Sequence, residues 1–402
     1  MTPSPDRLAA PQPPSTPAWA AVIAVTLGVF SLVTAEFMPS SLLTPMATDI
    51  GISEGMAGQS VTVTAITALV VSLFVSAATR AIDRRRLLIG FTILMVISNI
   101  LVALAPNLIV LFTGRVLLGA ALGGFWTMSA AIIMRLVPED RVPRALSIMF
   151  TGVSAATVVA VPLGSYLGDI VGWRAVFLMT AGLGVLVLAV QAATLPKMKP
   201  TGHIRFRTMV DVLARPGIAL GMIASFLVFG GHFAFFTYVR PFLETVSGAG
   251  ITAVSTALLG FGIANLVGTF VAGFLIERSL RATLAAMPLL MAALGSALAA
   301  FGGDLATGSV LIAIWGFAFG LVPVAWSTWL TRAAPDQAES AGGLLVAGIQ
   351  FAIAFGAAAG GVIFDAAGGA AVAATSAAVL LAAAIMIAGG IRSRAPAPAV
   401  QA

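Results

Sequence analysis

Residues 19–47 read WAAVIAVTLGVFSLVTAEFMPSSLLTPMA, a run of membrane-spanning length in which the one charged residue is Glu36. A helix crosses the hydrocarbon core of a bilayer with about 20 apolar residues. A carboxylate inside such a helix has to be neutralised or paired, and acids placed there mark transport pathways and proton relays. The stretch therefore predicts a membrane-spanning helix that carries a functional acid.

The remainder of the chain repeats this apolar pattern. Of its 402 residues, 59% are hydrophobic and 9% are charged, whereas soluble proteins have about 25% charged residues. The runs do not alternate polar with apolar residues as the strands of a membrane barrel do. We predict an all-α membrane protein with twelve transmembrane helices, at 19–47, 56–79, 87–105, 108–134, 143–168, 173–195, 216–242, 251–276, 282–301, 306–331, 340–366 and 368–391.

The basic residues predict the orientation of these spans. If the N-terminus is cytoplasmic, 18 of the 21 Lys and Arg fall on the cytoplasmic side, while Arg174 and Arg240 fall outside and Arg115 lies within a span. Cytoplasmic loops carry an excess of Lys and Arg, so we expect both termini to be cytoplasmic. The net charge of +6 reflects this asymmetry and does not indicate binding to nucleic acid.

Polar stretches divide the chain into five parts. Residues 1–18 are rich in Pro, Ser and Thr, which predicts a disordered cytoplasmic tail. The first apolar run is too long for a cleavable signal peptide. We expect a six-helix bundle at 19–195, a cytoplasmic linker at 196–215, a second six-helix bundle at 216–391 and a cytoplasmic tail at 392–402.

The two bundles share an internal repeat. Five pairs of identical residues are separated by the same 196 positions: Gly124 and Gly320, Gly152 and Gly348, Gly164 and Gly360, Asp169 and Asp365, Gly172 and Gly368. Because each half has an even number of spans, the two repeats are parallel. Parallel repeats related by an axis along the membrane normal are typical of transporters whose binding site lies between the halves.

Several motifs resemble the major facilitator superfamily, in particular its proton-coupled drug and metabolite efflux branch. The run GRVLLG at 114–119 is similar to the arginine motif of the fourth span, which the family associates with proton coupling. Residues 152–168 resemble the antiporter motif of the fifth span, although Val161 stands where the family places a glycine. The loop around Asp83 is a degenerate form of the signature loop between spans two and three, which puts its usual gating contact in doubt.

Longer stretches resemble one group within that branch, the bacterial purine ribonucleoside efflux pumps. They are TAEF at 34–37, GMAGQSVTVT at 55–64, GGFW at 123–126, FAFFTY at 233–238 and VPVAWSTW at 322–329. The resemblance implies export of nucleosides such as inosine and guanosine across the bacterial inner membrane, driven by inward movement of protons. The alternative is a proton-coupled pump for drugs or sugars on the same scaffold, and a more remote one is an intramembrane enzyme or a receptor.

Three titratable residues are candidates for proton coupling. We expect Glu36 to lie at the depth of Arg115 and to take up a proton from outside, so that its neutralisation favours departure of the solute. The alternative is a static ion pair that only fixes helix packing. His232, one turn before Phe236, could bind the solute or relay a proton, or it could donate to a carbonyl exposed by the neighbouring glycines.

The candidate solute-binding residues are polar or aromatic side chains within spans: Thr34, Gln59, Trp126, Phe236, Asn265, Trp326 and Gln350. A planar base could stack on Trp126 or Trp326, although tryptophans also anchor helices at the membrane surface, which we expect of Trp329. The amides could bind ribose hydroxyls or base edges, although Asn and Gln also join membrane helices to one another.

The sequence argues against other kinds of chemistry. It contains no cysteine, which excludes disulfides and cysteine-ligated metal clusters. It has no phosphate-binding glycine loop followed by Lys-Ser or Lys-Thr and no evident nucleophile and base pair. We therefore expect no enzyme activity, no metal and no cofactor, and a monomer in the lipid bilayer whose partners are a small-molecule solute and protons.

Overall fold

Two very long helices each reverse direction once, and these reversals set the topology of the bundle. The computed structural model describes residues 17–79, 81–198 and 211–390. Its helices are α1 (Trp19–Ile50), α2 (Glu54–Ala78), α3 (Arg84–Ala103), α4 (Leu108–Leu136), α5 (Val142–Val171), α6 (Trp173–Thr194), α7 (Ile218–Phe236), α8 (Val239–Thr245), α9 (Ile251–Phe301), α10 (Leu305–Ala333) and α11 (Ala338–Gly390). Ten of them are long and apolar enough to span a membrane.

The helix α9 doubles back at Ser279, whose backbone is not helical. Ser247, just before α9, donates a 2.6 Å hydrogen bond to the carbonyl of Gly302, just after α9. Both ends of this 51-residue helix therefore lie at the same face of the bundle. Ser279 also caps the second arm, since its Oγ accepts from the backbone N–H of Ala282 at 3.2 Å. We call the arms, residues 251–278 and 280–301, α9a and α9b.

The helix α11 reverses in the same way at Gly368, where φ is 80°, a conformation that glycine adopts without steric cost. Asp336, just before α11, pairs with Arg215 near the start of α7, and Gly390 at the end of α11 adjoins Leu220. The arms α11a (338–367) and α11b (369–390) are thus antiparallel. With both reversals, the described residues cross the bundle twelve times, which confirms the predicted span count.

The contacts confirm that the two halves are repeats. Gly152 of α5 lies against Thr26 of α1, and its repeat partner Gly348 lies against Met222 of α7. Thr26 and Met222 are themselves separated by 196 residues. A β-carbon on Gly152 would lie 2.7 Å from the backbone oxygen of Thr26, whereas one on Gly348 would meet the movable end of Met222. Gly152 in particular therefore permits close approach of membrane helices.

The predicted spans match the helices to within a few residues, except that one span is interrupted. The predicted span 216–242 consists of α7, a turn at Thr237 and Tyr238, and the short helix α8. Pro241 lacks the N–H that would bond the carbonyl of Thr237, and its ring crowds that carbonyl. The predicted tails and most of the linker lie outside the described residues.

Two faces of the bundle can be defined from these helix ends. The linker face carries the α2–α3 loop, Met198, Arg215 and Asp336, and the opposite face carries the turns at Gly51, Gly172 and Gly368. At the linker face, Asp83 Oδ2 accepts from the N–H of Met198 at 2.8 Å, and the N–H of Arg84 donates to the carbonyl of Met198 at 3.0 Å. The degenerate signature loop therefore binds the first residues of the linker.

Candidate transport site

A proline in α1 creates the docking point for the buried arginine. Pro39 has no N–H, so the carbonyl of Ala35 four residues earlier lacks its partner within the helix. Arg115 Nη1 donates to that carbonyl at 3.0 Å. Arg115 is fully buried, and an unpaired buried carbonyl or guanidinium would each be costly, so the two groups satisfy one another.

The guanidinium of Arg115 is held by backbone oxygens of two helices. Besides Ala35 it donates to the carbonyl of Glu36 at 3.3 Å and to the carbonyl of Ser60 in α2 at 3.4 Å. Thr64 adds a bond from its Oγ1 to the carbonyl of Arg115 at 3.3 Å. Arg115 thus ties α4 to α1 and α2 within the first half.

The carboxylate of Glu36 lies next to Arg115 without forming an ion pair. The described ion pairs, defined by a nitrogen–oxygen distance of 4.0 Å or less, do not include Glu36 with Arg115, although the two charges interact electrostatically. Glu36 also keeps part of its surface accessible while lying deep in a span. The expected proximity is present, and the alternative of a static Glu36–Arg115 ion pair does not describe this conformation.

Gln350 brings the second half to the same place. Its amide on α11a interacts with the carboxylate of Glu36, but its Nε2 makes no hydrogen bond of ordinary geometry and is buried. Thr34 in α1 likewise has a buried Oγ1 without a hydrogen-bond partner. Buried polar atoms of this kind are rare in native structures and often mark functional sites. These two are the predicted solute-binding residues with free hydrogen-bonding capacity.

An aromatic cluster of the second half adjoins Glu36 through Phe37. The ring centroids of Phe37 and Phe236 are 5.9 Å apart in an edge-to-face arrangement. Phe236 in turn stacks on Phe261 at 4.9 Å and on His232 at 5.1 Å. Phe236 is buried in this cluster, so it offers no ring face to a solute in this conformation.

His232 is enclosed in this cluster and acts as a hydrogen-bond acceptor. Trp315 Nε1, which can only donate, donates to His232 Nδ1 at 2.9 Å, and the ring of Phe319 lies parallel to the imidazole at 3.4 Å between centroids. His232 Nδ1 therefore carries no proton in this state. The carbonyl of Gly231 is bonded by Ser376, so His232 does not make the expected bond to the glycine backbone there.

The remaining candidates take part in packing. Asn265 Nδ2 donates to the carbonyl of Gly316 at 3.2 Å and joins α9a to α10. Gln59 Nε2 lies 3.4 Å from the carbonyl of Ala358 and joins α2 to α11a. Trp326 is 1% exposed and packs edge-to-face against Trp329, which leaves no ring face for a base. Trp329 is itself buried against Gly221, so it packs between helices and does not present its ring to lipid.

Of the three aromatic residues predicted to bind the solute, Trp126 keeps an accessible surface. It is partly exposed and its ring lies 6.4 Å from that of Phe150. Trp326 offers no exposed ring to a base in this conformation. Trp126 remains a candidate stacking surface on the first half.

The halves are joined near the opposite face by polar contacts that the sequence analysis did not anticipate. Arg240 of α8 is ion-paired with Asp169 of α5 at 2.9 Å, and Asp365 of α11a accepts from Ser53 Oγ at 2.6 Å. Two features of the sequence could have indicated these contacts: the 196-residue spacing of Asp169 and Asp365, and the isolated position of Arg240 among apolar residues.

Comparison with known proteins agrees with this architecture. A family model described as Major Facilitator Superfamily matches residues 25–346. The purine ribonucleoside efflux pump NepI of Salmonella paratyphi B is 49% identical over 344 residues, which cover 86% of this chain and 87% of the relative. The protein of the same name from Salmonella typhimurium is 48% identical over the same lengths.

Two solved structures share the fold at low sequence identity. The D-xylose-proton symporter has a TM-score of 0.77 at 16% identity and covers 94% of this chain and 98% of its own. A bacterial homologue of the human lysosomal transporter Spinster has a TM-score of 0.75 at 17% identity and covers 92% and 95%. With this fold, twelve membrane crossings and a family match over most of its length, the chain is a transporter that belongs to the major facilitator superfamily.

Proposed function

We propose that this protein exports purine ribonucleosides in exchange for protons by alternating access. The observation that carries the solute class is the 49% identity to a purine ribonucleoside efflux pump over most of both chains. The observation that supports proton coupling is the acid Glu36, which lies within a span beside Arg115 and Gln350 at the junction of the two halves. No resident cofactor is needed, because the proton gradient supplies the energy.

Glu36 and Gln350 provide the polar chemistry for a 6-oxopurine. An ionised carboxylate only accepts hydrogen bonds, and the amide of Gln350 can donate through its unpaired Nε2. Inosine and guanosine present an N1–H donor beside the O6 acceptor, so Glu36 can accept from N1 while Gln350 donates to O6. Adenosine presents an acceptor and a donor in the reverse order and fits this pair poorly.

Protonation of Glu36 then couples solute release to proton entry. The protonated carboxyl loses its negative charge and part of its capacity to accept hydrogen bonds, so the bond to N1–H is weakened and the nucleoside leaves. Loss of the proton on the other side restores the acceptor. For each proton exchanged against a neutral nucleoside, a pH difference of one unit is equivalent to about 1.4 kcal/mol, or a tenfold solute gradient.

The proposed setting is the inner membrane of a bacterium, with both termini in the cytoplasm and the protein working as a monomer. The linker face carries the basic loops, including Arg84, Arg135 and Arg215. Cytoplasmic loops carry an excess of such residues. With this orientation the opposite face is the outer one, and the contacts between the halves close the solute site on that side.

Competition between nucleosides tests the proposal. Inosine and guanosine should inhibit transport of labelled inosine in proteoliposomes at lower concentrations than adenosine. Gln350→Ala should raise the inosine concentration needed for half-maximal transport about tenfold, since one hydrogen bond to an otherwise unpaired group is lost. Absence of inosine transport in a preparation that still transports a drug or a sugar would assign the scaffold to a different solute.

A further inference from the structure

Arg240 connects three helices across the interface of the two halves. Its Nη2 bonds Asp169 of α5 at 2.9 Å, its Nη1 bonds the carbonyl of Ser41 in α1 at 2.7 Å, and its Nε bonds Glu244 of α8 at 2.8 Å. Arg240 is 3% exposed. Glu244 extends the contact, because its Oε2 accepts from Thr44 Oγ1 at 2.5 Å.

A second proline in α1 prepares the acceptor for Arg240. Pro45 has no N–H to offer the carbonyl of Ser41 four residues earlier, and that is the carbonyl to which Arg240 donates. The same relationship links Pro39, Ala35 and Arg115. One arginine of each half is therefore bound to a carbonyl of α1 that a proline has left free.

Asp365, the repeat partner of Asp169, makes the matching contact from the second half to the first. Its Oδ1 accepts from the backbone N–H of Gly55 at 2.9 Å and its Oδ2 accepts from Ser53 Oγ at 2.6 Å. The carboxylate thus binds the N-terminus of α2, where backbone N–H groups are unpaired and the helix dipole favours a negative charge. Gly55 has to be glycine, because a β-carbon there would collide with Asp365.

The two contacts are related by the internal repeat. Asp169 and Asp365 lie three residues before Gly172 and Gly368, which both have positive φ at the ends of α5 and α11a. Each aspartate lies on the fifth span of its own half and binds the other half. Asp169 binds Arg240 of α8, and Asp365 binds the start of α2. The hydrogen bonds that the structure describes between the halves lie on this side of the bundle.

We propose that Asp169 with Arg240, and Asp365 with the N-terminus of α2, are paired positioning contacts that hold the opposite face closed and must both break before a solute leaves there. Any solute carried by this protein has to cross that face, so the proposal does not depend on the identity of the solute. The two contacts act through helix position and need not touch the solute.

A cysteine reporter tests the proposal without any solute. The chain has no cysteine, and Val161 of α5 is fully buried among residues of the second half, so Val161→Cys should react with a membrane-impermeant maleimide only when the halves separate. Pro45→Ala gives the carbonyl of Ser41 an N–H from its own helix, which competes with Arg240. We expect it to speed labelling from the opposite face about fivefold to tenfold.

Gly55→Ala provides an independent disruption, since its methyl group displaces Asp365, and it should speed labelling similarly. Pro288→Ala removes a helix-internal proline of α9b away from both contacts and serves as the matched control, with labelling unchanged. Unchanged labelling in both Pro45→Ala and Gly55→Ala, in protein that elutes as a single folded species, would overturn the proposal.

A cross-link tests whether the contact has to open. In the double variant Ser53→Cys with Asp365→Cys, a short bis-methanethiosulfonate reagent, which forms a disulfide with each thiol and releases methanesulfinate, joins α2 to α11a. We expect solute transport to stop in this cross-linked variant and each single variant to be unaffected by the reagent. Transport that continues at the same rate in fully cross-linked protein would show that this contact does not separate during the cycle, and it too would overturn the proposal.

Discussion

Arg115 donates to the carbonyl of Ala35 because Pro39 leaves that carbonyl without an intrahelical partner. This bond fixes the positive charge beside Glu36 without an ion pair between the side chains. The carboxylate is therefore free to gain or lose a proton, or to bind a solute, while the arginine stays in place. We propose that proton coupling depends on this separation between the fixed guanidinium of Arg115 and the carboxylate of Glu36, which is not ion-paired with it.

Replacing the arginine by lysine should damage this arrangement although the charge is kept. Arg115 donates to the carbonyls of Ala35, Glu36 and Ser60, and an ammonium group cannot reproduce the planar arrangement of donors. We expect Arg115→Lys to lower the free energy of unfolding by about 2–3 kcal/mol and to abolish uphill transport. Thermal unfolding in detergent and transport in proteoliposomes measure the two effects, and a fully active, stable variant would contradict the assigned role.

His232 should be replaceable by a residue that still accepts a hydrogen bond. Trp315 Nε1 donates to His232 Nδ1, so glutamine can supply an acceptor, while phenylalanine leaves the buried indole N–H unpaired at a cost of about 1–3 kcal/mol. We expect His232→Gln to keep the pH dependence of transport and His232→Phe to lower stability. A shifted pH profile for His232→Gln would instead support the proton relay.

Two glycines related by the repeat should respond to alanine to different degrees. Gly360 lies against the backbone carbonyl of Ala234 in α7, so alanine there should lower the unfolding free energy by about 1–3 kcal/mol through overpacking. Gly164 adjoins the flexible end of Met38 in α1, which can move, so alanine there should cost less. Gly182 of α6 has no atom near its missing β-carbon and is the matched control. Gly182→Ala should be neutral or slightly stabilising, because alanine favours the helix.

The ion pair at the linker face should show a defined pH dependence. Arg215 binds both carboxylate oxygens of Asp336 at 2.7 Å, and this hydrogen bonding lowers the pKa of Asp336 below its ordinary value. A group whose folded-state pKa is lowered contributes stability above its unfolded pKa, which for Asp is about 3.9. That contribution is lost as the pH falls through the lower folded-state pKa.

Asp336→Asn tests this contribution. The variant should unfold at a slightly lower temperature than the parent at neutral pH, since exposed pairs contribute little, and the two curves should converge in strong acid. A difference between variant and parent that grows toward low pH would contradict the sign of the effect. Arg332→Gln, an exposed cation at the end of α10, is a control for the loss of a charge at this face.

The sequence predicts the spans well because each apolar run is long enough for the membrane and is bounded by charged residues, glycines or prolines. The interruption between α7 and α8 was readable from Pro241, which disrupts the bond to Thr237. The reversal at Ser279 falls between two predicted spans, and the reversal at Gly368 falls at the first residue of the last predicted span. Repeat spacing also predicted the equivalent packing of Gly152 and Gly348.

The site was harder to predict, because side-chain partners depend on helix rotation and tilt. Glu36 and Arg115 are brought together as expected, but the place of Gln350 beside Glu36 was not predicted. Trp326 faces the core, and His232 accepts from Trp315. Nothing in single-residue patterns distinguishes a tryptophan that lines a path from one that packs beside Trp329. The bonds of Arg115 and Arg240 to α1 could have been predicted only by asking which carbonyls Pro39 and Pro45 leave free.

The most direct test of the central claim follows labelled inosine uphill in proteoliposomes with an imposed pH gradient, with and without a protonophore, in the parent and in Glu36→Gln. We predict gradient-dependent accumulation by the parent, abolished by the protonophore, and a variant that is inserted and folded but only equilibrates inosine downhill. Uphill accumulation by Glu36→Gln at the parent's rate, still abolished by the protonophore, would contradict proton coupling through Glu36.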